Sequence, residues 1–294
     1  MAAAFKSERS AINHTVDEIC EKYFASLPPK IAEAAAYGLK GSGKRLRPLL
    51  VILAYRACGG HGDPTLLGCS TEVIHCYSLI HDDLPCMDDD DMRRGRPTVH
   101  RVYGARAAIL AGVALIPIAF MIVSDCCRSM RLDEHRVVRI QRTLARAAGA
   151  AGMIGGQLSD LLGEGISLSL DERERMHSAK TGALIRASLE IGAIAGGASD
   201  AQTAALAEFG RTIGLAFQIM DDVLDVTSSS KTLGKTAGRD KALGKSTYPA
   251  LLGIDGARDR AGALIERGLD NLKECSLLTP ELSQVANFMV NRTS

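Results

Sequence analysis

An all-α fold is what this sequence predicts, and three observations predict it. Ala, Leu, Ile, Glu and Arg recur along the 294 residues, while long Val/Thr/Tyr alternations are missing. Apolar residues repeat at intervals of three and four in one segment after another. The breaks between those segments are polar or glycine-rich. A chain of this length can bury a sizeable core, and no shift in composition marks a linker. We therefore expect one domain over residues 1–294, built from roughly ten helices with its motifs at helix ends.

Residues Ile31 to Tyr37, Leu49 to Ala57 and Glu72 to Ile80 carry helical periodicity, the last through Val73, Cys76, Tyr77 and Ile80. Ala107 to Ser124 has no charge and reaches transmembrane length. Gly112 and Pro117 interrupt it, and it has no interfacial aromatic belt, so we expect a buried central helix rather than a span. Asp171 to Ala195 follows a good N-terminal signal, Ser169-Leu170-Asp171-Glu172. Thr203 to Val226 reads as one long helix. The breaks fall at Gly59–Pro64, Pro85–Pro97, Gly163–Ser169, Gly196–Asp200 and Ser228–Gly244.

Composition excludes some functions. Lys and Arg number 35 against 34 Asp and Glu, so there is no global basic field for nucleic acid. The absence of Trp argues against a base-stacking platform. The eight cysteines form no C-x-x-C pair and read as reduced thiols packed as small apolar residues. The N-terminus has no apolar signal region. We expect a cytoplasmic protein, or a plastid one if a transit peptide once preceded Met1.

Two carboxylate clusters stand out. Asp82, Asp83, Asp88, Asp89, Asp90 and Asp91 place six carboxylates in ten residues. Such a density persists only when it is solvated or neutralised by cations. The alternating spacing and glycine of an EF-hand are missing. In the second cluster, Asp222 and Asp225 share a helix face, Asp221 lies within a turn of both, and Gln218 sits one turn earlier. Apolar neighbours surround these carboxylates, which makes them costly without a counter-ion. Hard oxygen ligands suit magnesium, which also shares phosphate oxygens. A hydrated acidic loop and a salt-bridge patch are the plainer alternatives.

Cations accompany them. Gly41-Ser42-Gly43-Lys44-Arg45-Leu46-Arg47-Pro48 sets three cations after a flexible turn, with Lys44 and Arg47 able to share a face. Lys as a point charge and Arg as a fork suit a diphosphate. The P-loop spacing is absent. Arg93 and Arg94 follow the acidic run and could simply neutralise it. Lys180-Thr181, Lys235 and Lys245 lie near glycine turns. His75 sits two helical turns before Asp82, on the same face. Acidic clusters bind metal that bridges to phosphate, and the cations hold a second anion without metal.

The ordered set of motifs resembles the trans-isoprenyl diphosphate synthases, or polyprenyl synthetases, over about Ala32 to Arg292. It comprises Gly43–Pro48, Ile74–Pro85, Arg93–Gly95, Lys180–Leu184, Phe217–Asp225 and Gly244–Pro249. The resemblance implies mostly antiparallel helices around a deep central cavity, the isoprenoid synthase fold, and a homodimer. It implies three Mg²⁺ ions held by Asp82, Asp83 and Asp88 and by Asp221, Asp222 and Asp225. Lys44, Arg47, His75 and Arg94 would hold isopentenyl diphosphate. Arg93, Lys180, Thr181, Gln218, Lys235 and Lys245 would contact the allylic diphosphate, and Arg93, Lys180, Thr181 and Gln218 would act in catalysis. The implied reaction ionises the allylic C–O bond, adds the isopentenyl double bond to the cation, and loses a proton.

Product length is implied by the positions before the first aspartates, here Tyr77 and Ser78. A bulky Tyr77 resembles bacterial-type farnesyl synthases. Asp225–Ser230 looks closer to the geranylgeranyl group, which stands as the alternative. Val113 and Met121 replace residues that are usually acidic in the family, and we expect them to alter cavity polarity or lining. The rivals are a terpene cyclase or head-to-head enzyme, a non-catalytic partner subunit, and a membrane anchor. The Gly43–Pro48 string and the intact aspartates argue against the first two.

Overall fold

The computed structural model describes residues 5–163, 165–166, 168–227 and 247–291. They form thirteen α-helices, one π-helical turn and one two-stranded hairpin. The chain gathers into two compact units. One runs to Ile52 and resumes over His61–Gln141, and the other holds Leu53–Gly60 and the chain from Arg142.

The first unit begins with α1 (Lys6–Tyr23), α2 (Pro29–Leu39) and α3 (Leu46–Ala57), whose last residues enter the second unit. Helix α4 (Thr65–Asp82) packs against α6 (Ala105–Ser129), α1 and α2. Leu67, Val73 and Ile74 of α4 meet a core completed by Ile12 and Ile19 of α1 and Leu115 and Ile122 of α6, all fully buried. Burial of such side chains contributes about 1.5–3 kcal/mol each. Pro29 suits the start of α2, because a first-turn N–H has no helical partner to lose.

A hairpin lies inside the expected break at Pro85–Pro97. Strands β1 (Met92–Arg93) and β2 (Arg96–Pro97) pair antiparallel around Arg94-Gly95. Both turn residues have positive φ, 53° and 76°, which is the signature of a type I′ turn matched to strand twist. Helix α5 (Val99–Tyr103) follows, and Gly104, with φ of 84°, leads into α6.

Helix α6 is apolar and long enough to cross a membrane by length and composition, and half of its most apolar stretch is buried. The expected buried central helix is therefore buried along one face only. Ile109, Leu110, Val113 and Met121 form an exposed stripe. Val113 and Met121 are 50% and 54% exposed, so they change the helix surface and not a cavity lining. An uncharged helix has no polar face to reveal its outer side, which is why the sequence misplaced them.

The second unit carries the end of α7 (Glu134–Ala148), then α8 (Met153–Leu162), α9 (Leu170–His177), α10 (Ala183–Gly196) and α11 (Asp200–Thr227). Helices α12 (Tyr248–Glu274) and α13 (Pro280–Asn291) complete it. Helix α11 packs against α10 and α12. Leu206, Phe209, Ile213 and Ile219 build its core with Ile185, Leu189 and Leu272. Ser169 caps α9 as the sequence predicts, with a reciprocal capping box to Glu172. The single helix expected over Asp171–Ala195 is instead interrupted by a π-helical turn at Ser178–Gly182. Apolar periodicity runs through such a turn and does not reveal it.

Candidate active site

In the first unit, Arg45 and Arg47 have different tasks. Arg45 adopts φ of 52°, which a non-glycine residue accepts only at a cost. Its buried guanidinium reaches Glu72 Oε1 at 2.9 Å, the carbonyls of Leu39 and Gly41 at 3.1 Å, and Asn13 Oδ1 at 3.0 Å. With its donors engaged, Arg45 fastens the loop that leads to Lys44. Arg47, the second residue of α3, has a buried Nε with no hydrogen-bond partner. Burial pushes its pKa down to about 10, which still leaves it charged at neutral pH.

His75 lies on α4 and accepts from Arg94 Nη2 at 3.5 Å. Burial, then Arg47 and Arg94, hold its pKa well below the usual value of 6.5. A neutral imidazole among arginines is a stable resting state that an arriving anion would shift. Arg47, His75 and Arg94 are thus close enough to perturb one another. Lys44 is exposed at the adjoining loop.

The first acidic run leaves the end of α4. Asp88 N donates to Asp82 O at 2.9 Å, folding the loop back so that the two residues adjoin. Both are half-buried. Asp83 is buried and held by Arg93, whose Nε donates to Oδ1 at 2.6 Å. Arg93 also reaches Asp90 Oδ2 at 3.2 Å. Burial above all, with Asp88 beside it, holds the Asp83 pKa above the usual carboxylate value despite Arg93. Local neutralisation therefore describes Arg93, whereas Arg94 turns to His75.

Tyr77 is buried and meets His81 edge-on, ring centres 5.0 Å apart. His81 in turn donates to Ile109 O at 3.1 Å. Gly112 makes this possible, because a Cβ there would lie 2.2 Å from His81 Nε2. The Ser78 hydroxyl is spent on His75 O at 2.8 Å.

In the second unit, Lys180 and Thr181 sit on the π turn. Lys180 Nζ donates to Asp160 Oδ2 at 2.5 Å, and Thr181 Oγ1 donates to Gln218 Oε1 at 3.2 Å. Gln218 Nε2 passes the chain on to Asp222 Oδ1 at 3.4 Å. Asp222, 1% exposed, also accepts from Arg173 Nη2 at 2.7 Å and Tyr248 N at 3.1 Å. Asp225 is buried and Asp221 half-buried. Lys235 and Lys245 lie outside the described residues.

Sequence reasoning missed Asp160, Arg173 and Glu72. Asp160 is a single carboxylate on an apolar helix, and Arg173 belongs to a charged run that reads as a solvated face. Each gains meaning only through its partner.

The aspartates offer oxygen-only donors, the chemistry magnesium takes. Among the described residues, no three metal-ligating side chains gather into a metal-holding group.

Comparison with known proteins agrees with these motifs. The polyprenyl synthetase profile matches residues 28–277. The farnesyl diphosphate synthase of Geobacillus stearothermophilus is 41% identical over 287 residues, covering 94% of each chain. The heterodimeric geranylgeranyl pyrophosphate synthase large subunit 1 of Arabidopsis thaliana, a chloroplastic protein, is 47% identical over 271 residues, covering 90% of this chain and 73% of that one. A Helicobacter pylori geranyltransferase, solved with magnesium and isoprenyl diphosphate, superposes with a TM-score of 0.78 at 33% identity, covering 96% of each chain. The chain belongs to the polyprenyl synthetase family. It has the all-α isoprenoid synthase fold, and its activity is that of a short-chain trans-prenyltransferase.

Proposed function

We propose that this chain condenses isopentenyl diphosphate with dimethylallyl or geranyl diphosphate and releases mainly the fifteen-carbon farnesyl diphosphate. The observation that carries the product length is Tyr77, a buried aromatic ring locked against His81 five residues before Asp82. A floor must not yield to a growing apolar tail, and a packed ring resists displacement. The geranylgeranyl product is the second reading, favoured by the 47% identity to the Arabidopsis subunit.

Lys44, Arg47, His75 and Arg94 are proposed to hold the isopentenyl diphosphate. Neutral His75 can donate to a phosphate oxygen without adding repulsion to the arginines. Arg93, Lys180, Thr181 and Gln218 are proposed for the allylic substrate. Thr181 and Gln218 present oxygen dipoles that stabilise developing positive charge, and Gln218 is itself held by Asp222.

The family is magnesium-dependent. We propose three Mg²⁺ ions, held most directly by Asp82, Asp88 and Asp221. Asp83 and Asp222 are buried on Arg93 and Arg173, and so orient those arginines and their neighbours. Bound Mg²⁺ would neutralise the leaving diphosphate.

We also propose a homodimer. The exposed stripe of Ile109, Leu110, Val113 and Met121 supports it, since contiguous apolar surface marks an interaction face. The product assignment is tested by Tyr77→Ala, with products sized after incubation with geranyl diphosphate. A shift from farnesyl to longer chains is expected, and an unchanged product would exclude Tyr77 as the floor.

A further inference from the structure

The arginine hairpin is a weak element in an important place. Each strand has two residues, and an isolated hairpin of that size is marginal in water. Its tip puts Arg94 at φ of 53°, a conformation that costs of order 1 kcal/mol and persists only where the surroundings impose it. Arg93 is tied to Asp83 and Asp90, but Arg93 is itself a group that a bound diphosphate would compete for.

Tyr37, near the end of α2, supplies a tie that substrate does not compete for. Its hydroxyl donates to Pro97 O at 2.8 Å. The Arg96 guanidinium lies over its ring, 4.0 Å from the centroid. Tyr103 meets the ring edge-on at 5.6 Å and fixes its plane. Tyr37 thus grips both residues of β2, which are paired with the residues of β1. Gly41 and Ser42 line a cavity of about 50 Å³ together with Arg93, Arg94 and Arg96. The loop meets Arg94 at Gly43, where a Cβ would lie 2.7 Å from Nη1, so this contact limits where Arg94 can sit while Tyr37 holds the strand that follows it.

We propose that Tyr37 is a positioning residue for diphosphate binding, setting Arg94 through its grip on Arg96 and Pro97. This rests on the reading of Arg94 as a diphosphate-binding group. Tyr37 acts on binding and not on the bond-making step, so its loss should raise Kd and KM and spare kcat.

The test uses the full chain and inorganic pyrophosphate, with affinity read by calorimetry. Tyr37→Phe, which keeps the ring under Arg96, should weaken binding severalfold. Tyr37→Leu, which loses both contacts, should weaken it by more than tenfold, with KM for isopentenyl diphosphate rising in parallel and kcat within about threefold. In an Arg94→Ala background the same Tyr37→Leu change should have no further effect, a result that a general loss of stability would not give. Unchanged affinity in Tyr37→Leu, or a full additional loss in the Arg94→Ala background, overturns the proposal. Wild-type protein that binds no pyrophosphate overturns it as well. Wild-type protein that binds pyrophosphate yet makes no prenyl product refutes the proposed activity and leaves the binding arms to decide the role of Tyr37.

Discussion

Arg45 and Arg47 stand two positions apart in one motif and do different work. Arg45 is consumed by Glu72 and two carbonyls, so removing Glu72 strands a buried charge. Glu72→Ala should cost about 3–5 kcal/mol, read from urea unfolding. His75 gives a pH signature. Its folded pKa lies below the unfolded value of 6.5, so the unfolded chain takes up the proton first. Stability is full above 6.5 and falls as pH drops below it. His75→Gln should flatten the change in urea midpoint between pH 7.5 and 5.5. An equal slope in both proteins would mean that His75 is not held neutral. Asp160 binds Lys180 and does not face the chemistry by any motif of its own. Asp160→Asn should lower kcat by about tenfold or more by freeing Lys180, as expected for a charge-assisted bond worth about 1.5–3 kcal/mol.

Among the elements, the π turn is the one that presents Lys180 and Thr181 together. Gly156 of α8 lies against it so closely that a Cβ would fall 2.2 Å from Lys180 N. Gly156→Ala should therefore destabilise by about 1–3 kcal/mol and lower kcat, measured by melting and turnover. The helices themselves were legible, because α2, α3, α4 and α11 each carry a three-four apolar repeat. The aspartate and lysine motifs were legible because their chemistry is unusual at that density. The π turn, the Arg94-Gly95 hairpin and the outward aspect of Val113 were not. Each is decided by what packs alongside, which a linear pattern does not record. Arg173 was hidden for the same reason: within Asp171–Arg175 it looks like one more surface charge, yet it is 3% exposed against Asp222.

For the whole molecule, the homodimer proposed above rests on the exposed apolar residues of α6. Leu110→Glu should shift the chain from dimer toward monomer in sedimentation, and a monomeric wild type would remove the stripe as an interface. All eight cysteines are free thiols, and burial pushes several upward, Cys58 and Cys127 to about 11 and Cys126 to about 12. Those buried thiols are poor nucleophiles at neutral pH. This chain alone is expected to lengthen a prenyl chain. The most direct measurement is incubation of the purified protein with labelled isopentenyl diphosphate, geranyl diphosphate and Mg²⁺, followed by product sizing. Farnesyl diphosphate is the expected product, abolished by a chelator and restored by Mg²⁺. No product with dimethylallyl or geranyl diphosphate as primer would contradict this expectation.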